Sequence, residues 1–363
     1  MPFLLTKSLA ASILAAASLT AGAQTLITKI PVSTPGGISS AAVAVDSAMN
    51  RIYLLVSPNT ETPAQLLVIN GATNKVVGAV AGLGNGYDVM VIDSVRSIIY
   101  LQGGCFIRSV NMLTNKIGKS FQLPGSYCGP LALDSVTGKV YVQETGTLYV
   151  IESEAGGTID TFSLPGFADY DYSGLVASPY VHRLYIPYYV ADSSGVQGYL
   201  GFFDTLTNQI SKSVTIPADF NGVSDLAVDP NTGHLFATTH YTYTGEEFYS
   251  SSVAVYNSAG TLLANVLPTD QYPFRCCAAA IVVDPKSNRA FVSANGDSGV
   301  SVYTMDGASN TVISSVLLGY LDPALSENGL ANLVAVNPDT SRLYVFGDSQ
   351  SSDSFTLNVY SEQ

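Results

Sequence analysis

The chain has 363 residues, of which only 12% are charged, and its formal net charge at neutral pH is −13. A surface this acidic repels the phosphate backbone of nucleic acids and anionic lipid headgroups, so neither is expected as a partner. Tyr, Val, Ser, Thr and Gly are abundant and Trp is absent, a composition that favours β-structure because β-branched and aromatic side chains pack well on pleated surfaces.

Residues 1–23 have the features of a secretory signal peptide. Lys7 gives a positive start, residues 8–20 form a short apolar core, and residues 21–23 (Ala-Gly-Ala) are typical of a cleavage site. The apolar stretch is too short for a membrane span, and no later segment holds about 18 consecutive apolar residues. We therefore expect a mature protein of residues 24–363 that forms one domain, lacks a transmembrane segment and is secreted or periplasmic.

Seven copies of one pattern follow along the chain. In each copy a short apolar run ends at a polar turn residue, and an aromatic residue stands seven positions later. The pairs are Asp46 and Tyr53, Asp93 and Tyr100, Asp134 and Tyr141, Ser178 and Tyr185, Asp229 and Phe236, Asp284 and Phe291, and Asn337 and Tyr344. Turn sequences such as Asp-Pro-Asn-Thr-Gly at 229–233 combine an Asp that caps its own backbone, a Pro that presets φ and a Gly that tolerates positive φ. A strand a therefore enters each turn and a strand b leaves it.

Two further strands complete each copy. Strand c is apolar, as at 67–70, and strand d follows a turn resembling Thr-Asn-Lys, as at 73–77. Four antiparallel strands repeating every 41 to 55 residues predict an all-β, seven-bladed β-propeller. The seventh copy stops after its strand c at 355–360, so we expect the N-terminal segment 25–32 to supply the missing outer strand and close the ring without an open edge.

The repeat is similar to a known family pattern. An apolar run followed by Asp-Pro-x-Thr-x-Arg-x-Tyr-Val, and later by Asp-x-x-Thr-Asn-Lys-Val, resembles the YVTN-type β-propeller repeat of bacterial and archaeal secreted proteins. The resemblance covers nearly the whole mature chain and implies the propeller fold; its relatives include extracellular and surface-layer propellers. Lactonase-type, streptogramin-lyase-type and quinoprotein propellers are more distantly similar. Blade 4 departs from the pattern, with Ser178-Pro-Tyr where Asp is usual.

The strand order predicts where a ligand site lies. The a–b and c–d turns share one face, the lower face, whereas the b–c and d–a loops share the other, the upper face, and are long and variable. Because strand a lines the central channel, the residues four or five positions before each turn residue, and those close to them, are predicted at the upper channel mouth. The predicted ligand-binding residues are Tyr87, Asp88, Asp171, Tyr172, Ser173, Asp225, Arg275 and Asn332. Carboxylates and hydroxyls suit a small molecule or a cation such as Ca²⁺, without naming a metal or a reaction.

Histidines and loop tyrosines limit the chemistry of this face. His182 and His234 fall in a–b turns, and His240 alone precedes a long upper loop, whereas a His-based metal site or a Ser-His-Asp triad needs several groups to converge. We therefore predict no catalytic residues and assign no cofactor. Loop tyrosines suit either protein or glycan contact or the packing of the loops themselves. They are Tyr188, Tyr189, Tyr241, Tyr243, Tyr249 and Tyr272.

Four cysteines in an exported chain suggest oxidation. Cys105 lies in the b–c loop of blade 2 and Cys128 in the adjacent d–a loop leading to blade 3, so we expect a disulfide between them. Cys276 and Cys277 are left to each other. They form either a strained vicinal disulfide, because consecutive Cα atoms lie about 3.8 Å apart, below the usual disulfide span of about 4.4–6.8 Å, or two free thiols.

Three functions remain open at this point. The first is a monomeric, non-catalytic binding propeller that uses the upper face to bind a protein, glycan or small molecule. The second is an enzyme for a small cyclic substrate or a quinone-dependent oxidation, lactonase-like, lyase-like or quinoprotein-like. It requires Asp88 and Asp225 to lie within about 7 Å with one raised pKa. The third is a surface-layer or adhesive module, a role that usually involves several domains in tandem.

Overall fold

The computed structural model describes residues 24–32, 37–58, 62–125, 128–129, 131–152, 157–166, 174–193, 195–217, 222–240, 251–267, 276–296, 299–319, 333–348 and 355–362. Over these ranges the chain forms 28 β-strands and one short 3-10 helix at Pro179–Val181. The strands pair into seven antiparallel sheets of four strands each. The prediction of an all-β, seven-bladed propeller is confirmed.

Each sheet is one blade, and its strands a to d follow one another along the chain. The N-terminal strand is β1 (Thr25–Val32), which belongs to blade 7. Blade 1 contains β2 (Ile38–Asp46), β3 (Arg51–Pro58), β4 (Gln65–Asn70) and β5 (Lys75–Val80). Blade 2 contains β6 (Val89–Asp93), β7 (Ile98–Gly103), β8 (Phe106–Asn111) and β9 (Lys116–Gln122). Blade 3 contains β10 (Leu131–Asp134), β11 (Lys139–Glu144), β12 (Thr147–Glu152) and β13 (Thr158–Ser163).

The remaining blades repeat this order. Blade 4 contains β14 (Val176–Ser178), β15 (Arg183–Asp192), β16 (Gly195–Asp204) and β17 (Gln209–Thr215). Blade 5 contains β18 (Gly222–Val228), β19 (Leu235–His240), β20 (Ser251–Tyr256) and β21 (Leu262–Val266). Blade 6 contains β22 (Cys276–Asp284), β23 (Arg289–Gly296), β24 (Gly299–Asp306) and β25 (Thr311–Gly319). Blade 7 contains β26 (Val334–Asn337), β27 (Arg342–Asp348), β28 (Phe355–Ser361) and β1.

The first strands of the blades form the inner ring. Strands β2, β6, β10, β14, β18, β22 and β26 contact one another in that order, and β26 contacts β2. Each has only one hydrogen-bonded neighbour, so its other edge faces the central channel. Backbone N–H and C=O groups on that edge are therefore open to side chains and solute in the channel.

The turn between strands a and b has one construction around the ring. In blades 1, 2, 3, 5, 6 and 7 the turn residue is Asp or Asn, and its Oδ1 accepts a backbone N–H two or three residues later at 2.8–3.2 Å. The fourth residue after it has positive φ in all seven turns, between 48° and 73°. These residues are Asn50, Ser97, Gly138, His182, Gly233, Asn288 and Ser341. In blade 4 Ser178 makes no such cap, and the 3-10 helix replaces the capped turn.

The aromatic residue seven positions after each turn residue anchors the core. All seven of these side chains are at most 1% exposed. The buried apolar residues group into seven clusters, each centred between two successive blades, as where Tyr185 of blade 4 packs with Leu226 of blade 5. The cluster between blades 7 and 1 also includes Val300 of blade 6. The hydrophobic core is therefore a set of layers between blades, and a blade without its neighbour would expose one apolar face to water.

The ring closes through the N-terminal strand, as predicted. Strand β1 pairs antiparallel with β28, from Thr25 opposite Ser361 to Val32 opposite Phe355. Ile30 and Val32 of β1 are buried with the core between blades 7 and 1. The first strand thus completes the last blade and covers the outer edge of β28, which would otherwise be unpaired.

Arginines at the start of strand b join neighbouring blades on the lower face. Arg51 of blade 1 donates to the carbonyl of Met112 in blade 2 at 3.0 Å. Arg183 of blade 4 donates in the same way to Ser258 of blade 5, and Arg342 of blade 7 to Gly71 of blade 1. Arg342 therefore ties the C-terminal blade to the first complete one.

Lysines protect the outer edge of the ring. Strand d is the outermost strand of each blade and has one unpaired edge. Exposed lysines lie on four of these strands: Lys29, Lys75, Lys116, Lys119 and Lys212. Charged side chains, and lysine above all, hinder edge-to-edge association of sheets.

Replacing Arg342 with Ala is expected to lower the free energy of unfolding by about 1–3 kcal/mol, because the Gly71 carbonyl loses a charged donor at the closure of the ring. Urea-induced unfolding measures the change. Lys75→Ala, on the exposed outer strand of blade 1, is the control and is expected to change stability by no more than about 0.5 kcal/mol. Equal effects of the two substitutions would argue against a closing role for Arg342.

Candidate functional site

Three of the eight residues predicted at the channel mouth lie in the described part of the chain. They are Tyr87, Asp88 and Asp225. Asp171, Tyr172, Ser173, Arg275 and Asn332 lie outside the described residues, so their place relative to the mouth stays a prediction.

Asp225 links three blades at the upper end of the channel. It lies in β18, beside a bulge in the pairing with β19. Its Oδ1 accepts the N–H of Leu226 at 2.8 Å, and its Oδ2 accepts the N–H of Ile281, in the inner strand of blade 6, at 2.9 Å. Gly174 of blade 4 approaches so closely that a Cβ there would lie 2.7 Å from the same Oδ1. The carboxyl group therefore lies on the channel edge of blades 5 and 6 with blade 4 against its other side.

The pKa of Asp225 is raised from 3.8 to about 7. Burial of the carboxyl group is the main cause, and the two backbone N–H donors, Ile281 and Leu226, offset part of it. Among the described residues, no cation contributes to this shift in the pKa of Asp225. A carboxyl group with this pKa is partly protonated at neutral pH, so it can donate or accept a proton, and a bound cation would favour its charged form.

Asp88 takes a similar place in blade 2, immediately before β6. Its N–H donates to the carbonyl of Gln102 at 3.0 Å. The surrounding protein raises the pKa of its carboxyl group to about 6, against the lowering effect of its own backbone N–H and that of Val89. The side chain itself is exposed to solvent, so the walls of the mouth, rather than a closed cavity, cause the desolvation.

Asp88 and Asp225 share the upper rim but not a blade. Asp88 hydrogen-bonds to Gln102 of β7, and Asp225 pairs with Thr238 of β19. Gln102 and Thr238 are equivalent positions, because each stands nine residues after the turn residue of its blade, Asp93 or Asp229. Blades 3 and 4 stand between them on the shorter way round the ring. The topology thus places the two carboxyl groups on different sides of the same channel opening.

Tyr87 supports the mouth from the core. It is 2% exposed, and its ring packs 6.4 Å from that of Phe106. Its carbonyl accepts hydrogen bonds from the hydroxyls of Ser40, at 3.0 Å, and Ser57, both in blade 1. These serines could not be singled out from the sequence, because small polar residues near strand ends are common.

Two buried glutamines fix the upper loops between blades 2, 3 and 4. The amide of Gln102 donates to the carbonyls of Gly104 at 3.0 Å and Gly129 at 2.6 Å. The amide of Gln143, one blade further, donates to Pro187 in blade 4 at 2.8 Å. Both side chains are almost completely buried. In the sequence, these two glutamines stand out only as polar residues at the end of an otherwise apolar strand b.

A disulfide ties the same region. Cys105 and Cys128 are bonded, with their Cα atoms 4.9 Å apart, and so join the b–c turn of blade 2 to the segment leading into blade 3. This pairing confirms the prediction. Cys276 and Cys277 begin β22, where Cys276 pairs with Asn295, but their side chains lie outside the described residues and their oxidation state stays open.

The described tyrosines of the β15–β16 hairpin and the described histidines of the a–b turns have structural roles. Tyr188 and Tyr189 of β15 are buried; the Tyr188 hydroxyl donates to Ser213 at 2.7 Å, and the Tyr189 hydroxyl accepts the N–H of Val223 in blade 5 at 3.2 Å. His182 and His234 lie in a–b turns on the lower face, as predicted. The side chain of His240, and residues Tyr241, Tyr243, Tyr249 and Tyr272, lie outside the described residues.

The lower face carries an apolar patch that sequence reasoning missed. At the turn tips of blades 2, 3 and 4, six large apolar side chains are between 41% and 75% exposed. They are Val95, Leu113, Val136, Tyr180, Val181 and Leu206, here called the lower apolar patch. The a–b turn tips of blades 1, 5, 6 and 7 carry Ala48, Asn231, Lys286 and Asp339 instead. Each of these residues stands two positions after the turn residue of its blade, so the contrast among the a–b turns is visible when the seven copies are aligned on that residue.

Neither a metal cluster nor a membrane helix is found in the described ranges. There, no group of three or more His, Cys, Asp or Glu side chains is placed to hold a metal ion. Among the same residues, no helix has the length and hydropathy to cross a membrane.

Comparison with known proteins shows the fold alone. No protein-family model matches the sequence, and no curated protein matches it. Among solved structures, hydrazine synthase from Kuenenia stuttgartiensis is similar with a TM-score of 0.67 and 13% identity, over 90% of this chain and 97% of that one. The β-propeller domain of Cps50 (Swd1) from Myceliophteria thermophila has a TM-score of 0.63 and 11% identity, over 93% of this chain and 99% of that one. An enzyme and a propeller domain thus share this architecture, which is compatible with many functions.

Replacing both Cys105 and Cys128 with Ser is expected to lower the free energy of unfolding by about 3 kcal/mol, because the bond closes a loop with a sequence separation of 23. Chemical unfolding with and without a reductant measures this. The reductant should destabilise the native protein and leave the double variant unchanged. A response that persists in the double variant points instead to Cys276 and Cys277.

Asp225→Asn is expected to flatten the pH dependence of stability. Because burial raises the pKa of Asp225 in the folded state, its contribution is greatest in acid and is lost as the pH rises through about 7. The thermal midpoint of the native protein should therefore fall more steeply than that of the variant between about pH 5 and about pH 8. Asp160→Asn, on the exposed outer strand of blade 3, removes the same charge elsewhere and should leave the slope unchanged. Parallel profiles for the native protein and Asp225→Asn would refute a buried, titrating carboxyl group.

Proposed function

We propose that the protein is an exported, non-catalytic ligand-binding propeller whose binding surface is the upper face around the channel mouth. The observation that carries this proposal is the pair of carboxyl groups, Asp88 and Asp225, on the channel rim with their pKa values raised toward neutrality. Ionising either group against the surrounding protein costs free energy, and a cationic ligand would recover it. The ligand class we favour is therefore a small cationic molecule or a divalent cation such as Ca²⁺.

The difference between the two faces supports the choice of the upper one. On the lower face, six a–b turns close on their own Asp or Asn side chain, which leaves little of those side chains for a ligand. On the upper face the connections differ in length from blade to blade: β7 and β8 are joined by residues 104–105, whereas β19 and β20 are joined by residues 241–250. Variable loops on a rigid scaffold are where binding sites usually lie.

Export is part of the proposal. The signal-like segment 1–23 and the resemblance to YVTN-type secreted propellers both favour a bacterial protein that acts outside the cytoplasm as residues 24–363. The Cys105–Cys128 bond supports this, since disulfides persist in oxidising compartments. A protein or glycan is an alternative partner for the upper face, and a surface-layer or adhesive module is a further alternative.

An enzyme is the second candidate, and one observation favours it. A carboxyl group with a pKa of about 7 is suited to general acid or base catalysis near neutral pH. Against this, both oxygens of Asp225 already accept backbone N–H groups, and Asp88 lies on another side of the opening. We therefore place binding first.

Ligand binding can be tested by thermal shift and calorimetry with Ca²⁺ and a panel of small amines, oligosaccharides and lactones. A ligand should raise the melting temperature of the native protein by mass action, and Asp88→Asn/Asp225→Asn should abolish the shift. The matched control is Val136→Ser/Leu206→Ser in the lower apolar patch, which should bind normally.

Two results would contradict the proposal. One is a ligand whose binding survives the double Asn variant and is lost in the patch variant. The other is turnover of a lactone or another panel compound that depends on Asp225, which would favour the enzyme.

A further inference from the structure

One position of the repeat lies in a slot between blades on the lower face. It is the residue that directly follows strand c. The N–H of this residue donates to the carbonyl of the positive-φ residue in the a–b turn of the same blade, at 2.8–3.0 Å. In blades 1, 2, 4 and 6 this position is Gly71, Met112, Thr205 and Gly307, all uncharged. In blade 7 it is Glu362, which makes the same backbone bond to Ser341 at 2.9 Å. An ionisable side chain thus occupies a position that carries either no side chain or an uncharged one in those four blades.

Glu362 meets a second carboxyl group in that slot. Both of its carboxyl oxygens are shielded from water, and they face the turn residue Asp284 of blade 6. Asp284 is itself 1% exposed, and its Oδ1 is already committed to the N–H of Lys286 at 2.8 Å. Two adjacent carboxyl groups shielded from water cannot both be charged, so one of them must hold a proton.

The aromatic anchor of blade 6 differs from those of blades 1 and 3. In blades 1 and 3 the anchors are Tyr53 and Tyr141, buried tyrosines close enough to Asp46 and Asp134 for those carboxylates to raise their pKa. The blade 6 anchor is Phe291, which has no hydroxyl. Asp284 therefore has the Glu362 carboxyl group beside it, and the aromatic anchor of its own blade has no hydroxyl.

Within the described part of the chain, the other charged groups near the pair are Arg289, Lys286 and Asp339. Arg289, at the start of β23, lowers the pKa of Glu362, and the Ser287 hydroxyl also favours its charged form. Lys286 and Asp339 form an exposed ion pair between the turns of blades 6 and 7. Burial and the neighbouring Asp284 outweigh Arg289 and raise the pKa of Glu362 to about 9. Burial also raises the pKa of Asp284, but hydrogen bonds, led by the one from Glu362, leave it below its usual range.

We propose that Glu362 and Asp284 form a pH-sensitive latch on the blade that closes the ring, in which one shared proton holds blades 6 and 7 together. Glu362 is the protonated partner and donates to the Asp284 carboxylate. Loss of the proton to solvent base leaves two carboxylates in contact and loosens the junction. Since the folded-state pKa of Glu362 lies above the unfolded one, the stabilisation is complete in acid and is lost as the pH rises through about 9.

The latch can be tested by urea unfolding across pH with Glu362→Gln. The amide of Gln donates to Asp284 at every pH, so the unfolding midpoint of the variant should fall less than that of the native protein between about pH 6 and about pH 10. Glu152→Gln, at the end of strand c in blade 3, removes a carboxyl group paired with Lys139 and should follow the native profile. Identical profiles for Glu362→Gln and the native protein would overturn the latch.

A direct titration and a second variant keep the proposal testable if Glu362→Gln folds poorly. Carboxyl ¹³C NMR should find Glu362 titrating several pH units above the ordinary Glu value of about 4.3, and a normal value would refute the shared proton. Asp284→Asn should lower the pKa of Glu362 from about 9, because the contribution of Asp284 is lost while that of burial remains, and should reduce the slope of the stability profile. Asn is compatible with this turn, since Asn337 occupies the equivalent position in blade 7 and caps it at 3.0 Å.

Discussion

The seven turns between strands a and b carry the constraint on which the rest of the propeller depends. The positive-φ residue in each turn makes strand b return in one register, and that register directs every aromatic anchor into the layer between blades. A slip of one residue would turn the anchor to the opposite face of the sheet. The carbonyl of the same turn residue also binds the N–H after strand c, as with Asn50 and Gly71, so one turn positions three strands.

The closing blade needs more than this common construction. The outer strand of this blade comes from the other end of the chain. Pairing the two ends closes a loop of nearly the whole chain, and the entropy lost in closing that loop opposes the pairing. Polar links gather on both sides of it: Arg342 and Asn337 reach blade 1, while Lys286 pairs with Asp339 across the junction with blade 6. The Glu362–Asp284 contact lies at that second junction. Polar links therefore supplement the apolar layers at both junctions of the closing blade, and arginines such as Arg51 and Arg183 make comparable links between other blades.

The sequence was sufficient to predict the features that depend on local backbone chemistry at fixed spacing. Blade number, strand order, closure by residues 25–32 and the Cys105–Cys128 bond all follow from turn residues, anchors and loop positions. The contacts of the mouth could not be predicted, because the N–H of Ile281 that binds Asp225 belongs to a strand 56 residues away and any residue but proline offers the same group. The lower apolar patch was missed for a different reason: Leu206 in a turn is unremarkable until the equivalent positions of other blades are superimposed.

The exposed lysines of the outer strands have a practical consequence for handling the protein. Lys29, Lys75, Lys116, Lys119 and Lys212 lie around the circumference, and among the lysines after residue 23 only Lys139 and Lys286 lie elsewhere. Amine-reactive dyes and sensor chips will therefore attach the molecule mainly by its rim, with the flat sides left open. Immobilisation in that geometry presents the channel openings to solution, so surface-based assays can report on either side without blocking it.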